Sequence, residues 1–173
     1  MKILPILIHP DPRLKKLCSP FDRVDDDAQA LGNAMLATMY DAPGVGLAAP
    51  QVGKLKRMFV MDCTDKEEDE TAPMVLFNPT VIWTSEEENT HEEGCLSIPG
   101  MYEDVTRPAE VKVAFWDLQG KEQEEHFTGL WATCAQHEID HLNGVLFIDY
   151  LSRMKKSMIT KKMQKLKKER ASA

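Results

Sequence analysis

The chain has 173 residues, 43% hydrophobic and 28% charged, a balance that suits one globular domain and excludes disordered, collagen-like and disulfide-scaffold chains. Its four cysteines, Cys18, Cys63, Cys95 and Cys134, form no C-x-x-C pair, and no stretch approaches the roughly 20 apolar residues that span a membrane, so a cytoplasmic protein with buried thiols or metal ligands is expected. The net charge of −7 is uneven: residues 152–173 carry nine basic side chains and one acid, +8 against −15 for the rest, an acidic body with a basic arm.

Ile3 to Ile8 predicts a short edge strand interrupted by Pro5, too short and broken for a signal-peptide core, and Pro10 and Pro12 then turn the chain. From Asp25 the pattern is helical. Asp25, Asp26 and Asp27 suit a helix N-terminus by capping and by opposing the helix dipole. Ala28, Leu31, Met35 and Met39 recur at helical spacing, and Pro43-Gly44 ends the run. After GVGLAAPQVG, the runs RMFVMDC, MVLFNPTVIW, VKVAFW and EEHFTG predict antiparallel strands. The acidic stretch DKEEDE reads as a solvated loop; a second, SEEENTHEE, differs in running directly into GCLSIP.

Thr128 can cap a helix running from about Leu130 through Leu142, with Asn143-Gly144 as its stop. Leu130, Cys134, His137 and His141 share one face, and Ala135, Ile139 and Leu142 lie on the other side, so the helix is apolar nearly all round and should be buried. Two core histidines satisfied by neighbours are the plain alternative. Spacing at i and i+4 favours a cation instead: both imidazoles stand on one side, one turn apart, and Glu138 beside them can serve as general base.

A third ligand is needed. In one protease class the motif continues as H-E-x-x-H-x-x-G-x-x-H; His137, His141 and Gly144 fit, but the last place is Phe147, which cannot bind a metal. The 26 residues after Phe147 are overwhelmingly basic and offer only Asp149 and Glu169 as carboxylates, which turns the search upstream. Cys134 lies about 10 Å from His141 along the helix axis, badly placed for a site between the histidines. Cys18 and Cys63 lack polar company. Cys95 fits best on local chemistry, because Gly94 permits close backbone approach and Glu93 and Ser97 can anchor its loop.

GVGLAAPQ (44–51), EGCLS (93–97) and QHEIDH (136–141), in that order, resemble the three signature motifs of the peptide deformylases, and the likeness extends over nearly the whole chain, from IHPDPRL to FIDYLS. The resemblance implies an α+β fold, antiparallel sheets packed around a central buried metal-binding helix with a C-terminal helix. It implies a cation held by Cys95, His137 and His141, typically Fe2+ and often replaced by zinc, nickel or cobalt. Such a cation lowers the pKa of a bound water so that hydroxide is available near neutrality to attack the formyl carbonyl. Glu138 would take the water's proton and later deliver it to the leaving amine; the Leu96 backbone N–H and the Gln51 side chain would stabilise the oxyanion. Backbone groups of Val45 and Gly94 would pair with the peptide like an added strand, with Gly46 giving close approach and Arg107 near the bound peptide. The implied substrate is an N-formylmethionyl peptide emerging from the ribosome, and the products are formate and a free N-terminus.

Gly44-x-Gly46-x-x-Ala49 also matches a dinucleotide-binding fingerprint, but a helix is predicted before it and Pro50 follows, the reverse of the strand-then-helix context that fingerprint needs. From Arg153, the residues Met154, Met158, Ile159, Met163 and Leu166 recur at near-helical spacing among lysines, so residues 152–173 are expected to form a basic amphipathic helix distinct from a catalytic unit over 1–151. Its charge suits a polyanion, and the resemblance points to the ribosome and its RNA; a membrane surface is disfavoured because no bulky aromatic lies on the apolar stripe, and no DNA partner is expected. Two other functions fit parts of the pattern: a protease cutting internal peptide bonds, and a ribosome-binding module with a structural metal.

Overall fold

Helix α1, Asp26–Asp41, starts where the sequence places it, with the Asp25 carboxylate accepting the Ala28 N–H at 2.9 Å. Strands β1 (Gly46–Ala48), β2 (Met58–Met61), β3 (Met74–Thr84), β4 (Glu88–Cys95), β5 (Ile98–Pro108), β6 (Glu110–Trp116) and β7 (Glu122–Thr128) follow, then helices α2 (Gly129–Leu142) and α3 (Arg153–Ser172). This computed structural model describes residues 2–65, 67 and 70–172, so Lys66, Glu68 and Asp69 of the acidic stretch DKEEDE lie outside the described residues. Asp65, Glu67 and Glu70 are exposed.

The fold is α+β. Five strands form one antiparallel sheet in the order β1-β2-β3-β6-β7, and β4 and β5 form a separate two-stranded ribbon. Strand β2 shows how the sheet is buried on both sides. Its four residues are inaccessible, and the strand's period of two sends Met58 and Val60 to one face and Phe59 and Met61 to the other. Met35 and Met39 of α1 cover the first face, and Ala135, Ile139 and Leu142 of α2 cover the second. Burying large side chains such as Phe59 and Met58 contributes about 1.5–3 kcal/mol each relative to exposure.

One expectation is overturned, and one strand was not foreseen. Ile3 to Ile8 joins no sheet. Pro5 has no N–H to continue a ladder, and the segment instead bridges two loops, with the Leu7 N–H donating to the Gln51 carbonyl at 2.7 Å and the His9 N–H to the Ser97 carbonyl at 2.9 Å. The acidic run SEEENTHEE, given no element by its sequence, forms a strand over its second half: Glu88 to Gly94 pair in antiparallel register with Pro108 to Tyr102. A ribbon exposed on one side needs few apolar residues, and only Glu93 of β4 is fully buried, so hydrophobic alternation was absent there.

Helix α2 runs through the centre, as expected, although the Thr128 side chain makes no capping bond. Gly144 closes the end in a left-handed conformation, φ 74°, and a Cβ there would meet the Lys15 carbonyl oxygen at 2.5 Å. Helix α3 packs Ile159 and Met163 against Leu14, Ile98 and Ile148. Met154 and Met158, placed by sequence on the apolar stripe, face solvent. Ion pairs from Lys156 to Asp149 at 2.5 Å and from Lys155 to Glu103 at 3.2 Å hold the start of α3 to the body.

Candidate active site

The i, i+4 spacing on α2 sets the His137 and His141 rings 5.0 Å apart, and both are buried. Cys95, at the end of β4, comes to 3.4 Å from His141 Nε2. One ligand atom each from Cys95, His137 and His141 lies within 4.8 Å of the others, close enough to share one cation. Phe147 stacks on His137 with ring centroids 6.0 Å apart, so the residue that breaks the longer protease motif packs beside the cluster. Cys134 stands aside, its thiol donating to the Val45 carbonyl at 3.8 Å, and Cys18 and Cys63 lie in the core away from the cluster.

His137 Nδ1 bonds to Glu93 Oε1 at 2.9 Å, which turns Nε2 toward the cluster. Glu93 in turn accepts a pair of bonds from Arg107, at 2.7 and 3.0 Å, and Arg107 donates to Asp140 at 2.8 Å. Burial pushes the Glu93 carboxyl up, but the bonds from His137 and Arg107 outweigh it and hold its pKa below the usual range. Burial lowers His137, yet Glu138, Cys95 and Glu93 raise it well above normal; burial and the neighbouring His137 lower His141. The Cys95 thiol and the two imidazoles, gathered around one point, suit a bound cation.

Glu138 is buried with no hydrogen-bond partner at Oε1 among the described residues, and burial raises its carboxyl to about 7. A base with that affinity can exchange a proton near neutrality. Gly46 lies against it: a Cβ on Gly46 would sit 2.6 Å from Glu138 Oε2 and 2.7 Å from Cys134 Sγ. Gln51, held in the short turn Ala49–Val52, accepts the Ala48 N–H at 2.8 Å through Oε1, which leaves its amide NH2 facing Ser97 Oγ at 3.1 Å and Cys95 Sγ at 3.4 Å.

A cavity of about 700 Å³ reaches this cluster. Val45, Gly46, Gln51, Gly94, Cys95, Leu96, His137 and Glu138 all line it. His141 is buried and does not line it. Arg107, expected near the bound peptide, does not line the cavity; it is buried, and its guanidinium is committed to Glu93 and Asp140.

A family model described as polypeptide deformylase matches residues 3–157. The chain belongs to the peptide deformylase family. It is similar to the peptide deformylase of Brucella suis biovar 1, 51% identical over 99% of this chain and 98% of that one. Among solved structures, the peptide deformylase of Ehrlichia chaffeensis superposes with a TM-score of 0.91 at 38% identity over 99% of both chains, and that of Legionella pneumophila with 0.90 at 44% over 99% of both. Membership in the deformylases makes the chain a hydrolase of the class that removes N-formyl groups from nascent peptides. Sequence reasoning gave Glu93 only as a loop anchor and missed Asp140 and Tyr150, whose hydroxyl donates to Asp140 at 2.7 Å. The signal for Asp140 lay inside QHEIDH: three residues after His137, it stands one turn along the same helix.

Proposed function

We propose that the protein removes the formyl group from the N-terminal formylmethionine of new polypeptides, releasing formate, with a cation held by Cys95, His137 and His141. The convergence of those three ligand atoms within 4.8 Å, with Glu138 on the same cavity wall, carries the reading. Thiolate and imidazole suit a transition metal, and we take Fe2+ as the resident ion, with zinc, nickel or cobalt able to substitute. When bound, the cation supplies Lewis acidity toward the formyl oxygen and acidifies a water.

The protein's own groups do the rest. Glu138 accepts the water's proton and returns it to the departing amine, work that typically contributes about 10²- to 10⁴-fold in rate. The Gln51 amide NH2 and the Leu96 N–H stabilise the developing oxyanion, each worth about 3 kcal/mol. Backbone groups of Val45 and Gly94 pair with the peptide, and Gly46 lets that chain approach Glu138 without a side chain between them. Arg107 acts as a positioning residue through Glu93 and His137.

The proposed division of labour assigns chemistry to residues 1–151 and docking on ribosomal RNA to the basic arm 152–173, in the cytoplasm. Because Ile159 and Met163 are buried, deletion of the arm would expose core; charge removal at the exposed Lys161, Lys162, Lys165 and Lys168 is the cleaner test. Glutamine at these four positions should weaken ribosome co-sedimentation at low salt; unchanged binding would end the docking proposal.

The reaction is tested with anaerobically prepared, metal-assayed protein, a formyl-Met tripeptide and its unformylated twin. Formate from the first alone is the expected result. Absence of formate with iron, nickel or cobalt loaded would overturn it, and cleavage of an internal bond in either peptide would favour a protease.

A further inference from the structure

The inner stripe of α3 runs Ile159, Met163, Leu166 and then Arg170, at spacings of four, three and four residues that keep them on one face. The first three pack against the body. The fourth reaches past it and lines the same cavity as Cys95, His137 and Glu138. Its position is fixed from behind: Thr160 Oγ1 lies 2.8 Å from His9 Nε2, and the Lys156–Asp149 and Lys155–Glu103 ion pairs anchor the helix start. Among the described residues lining the cavity, Arg170 is the one lysine or arginine, whereas Asp41 and Glu92 are exposed carboxylates that also line it.

A peptide whose formylated end lies at the cluster must continue out through this cavity. An acidic group on it would be repelled by Asp41 and Glu92, and a guanidinium is the one cation placed to receive it, by a planar fork that matches a carboxylate. We propose that Arg170 binds a carboxylate of the substrate downstream of the formylated residue, either an acidic side chain or, in a short peptide, the C-terminal carboxylate. The basic arm thus also contributes to substrate selection. This rests on the deformylase reading given above.

The test compares kcat/KM for three formyl-Met tripeptides: neutral and amidated, acidic and amidated, and neutral with a free C-terminus. Each is assayed with the wild type, Arg170→Ala, Arg170→Lys and Arg170→Glu, all metal-loaded and checked for helix content by circular dichroism. Arg170 is exposed, so these exchanges leave the packed stripe in place. At low salt the Arg170→Glu exchange should lower the acidic-to-neutral ratio by about two- to fivefold relative to the wild type, chiefly through KM. Arg170→Ala should fall between them, Arg170→Lys should retain part of the preference, and added salt should erase it. An effect confined to the free C-terminus would identify that group as the ligand; one confined to the amidated acidic peptide would identify the side chain. Equal ratios in all four proteins would overturn the inference while leaving deformylation intact. No formate from the neutral amidated peptide with any protein would overturn both.

Discussion

The Glu93 carboxylate accepts a bond from His137 Nδ1 at 2.9 Å, and that contact decides which ring nitrogen faces the Cys95–His141 cluster. Removing such an outer partner typically costs about 10- to 100-fold in metal affinity. Glu93→Gln is expected to lose cobalt to a chelator within that range while remaining folded. It also leaves Arg107 with Asp140 as its only anionic partner among the described residues, so a lower unfolding midpoint should accompany the loss. Retention equal to the parent would mean that Glu93 does not orient the ligand.

Gly46→Ala places a methyl group where Glu138 Oε2 and Cys134 Sγ now stand, at 2.6 and 2.7 Å. The carboxylate must move to admit it. A base displaced by an ångström loses much of its effect, so turnover should fall about 100-fold or more, with metal content unchanged. Glu138→Ala should behave likewise, whereas Cys95→Ala should lose the metal itself. Metal analysis beside steady-state kinetics checks all three, and an active Glu138→Ala enzyme would rule out its role as base.

Asp149 ties α3 to the body. Burial pushes its carboxyl up, but bonds from Lys15, Lys156 and the Leu146 N–H prevail and hold its pKa below the usual value. A depressed carboxylate stabilises the fold above its unfolded pKa of about 4, and the stabilisation disappears as pH falls through the folded value. Asp149→Asn should therefore cost about 1–2 kcal/mol at pH 7, given lysines that remain partly in water, and the gap from wild type should close in acid. Urea unfolding at pH 7 and near pH 3 measures this; a gap independent of pH would refute it.

Packing and charge on α3 separate cleanly. Ile159 is wholly buried, and Ile159→Ala should destabilise by about 2–5 kcal/mol. Lys165→Gln, on the outer face, should stay within about 0.5 kcal/mol. Equal effects in denaturant titrations would show that α3 does not contribute its stripe to the core.

Much of the centre was legible in the sequence because it depends on local spacing: His137 and His141 share a helix face by number alone, and Phe147 redirected the ligand search to Cys95. Strands β2, β3, β6 and β7 also fell on the runs RMFVMDC, MVLFNPTVIW, VKVAFW and EEHFTG. What escaped was non-local or polar. The β4–β5 ribbon pairs Glu, Asn and Thr with little apolar alternation, so the strand Glu88–Cys95 left no strand signal in the sequence. The family resemblance placed Arg107 near the peptide, and nothing in its position along the chain pointed to Asp140, whose carboxylate holds it inward from another element. Ile3 to Ile8 had the composition of a strand, but the vacant acceptors it meets belong to Gln51 and Ser97 rather than to a neighbouring strand.

His9 joins the beginning of the described chain to α3: its N–H reaches the Ser97 carbonyl, and its ring meets Thr160, 151 positions away. Contacts of such sequence separation form late, because a long loop must close first. The loop that carries Cys95 is therefore buttressed by a segment near residue 9, and that segment by a helix that follows the other described elements in chain order. A partly made copy that holds Cys95, His137 and His141 but lacks α3 would have the three side chains of the cluster without the helix that braces the Cys95 loop through His9.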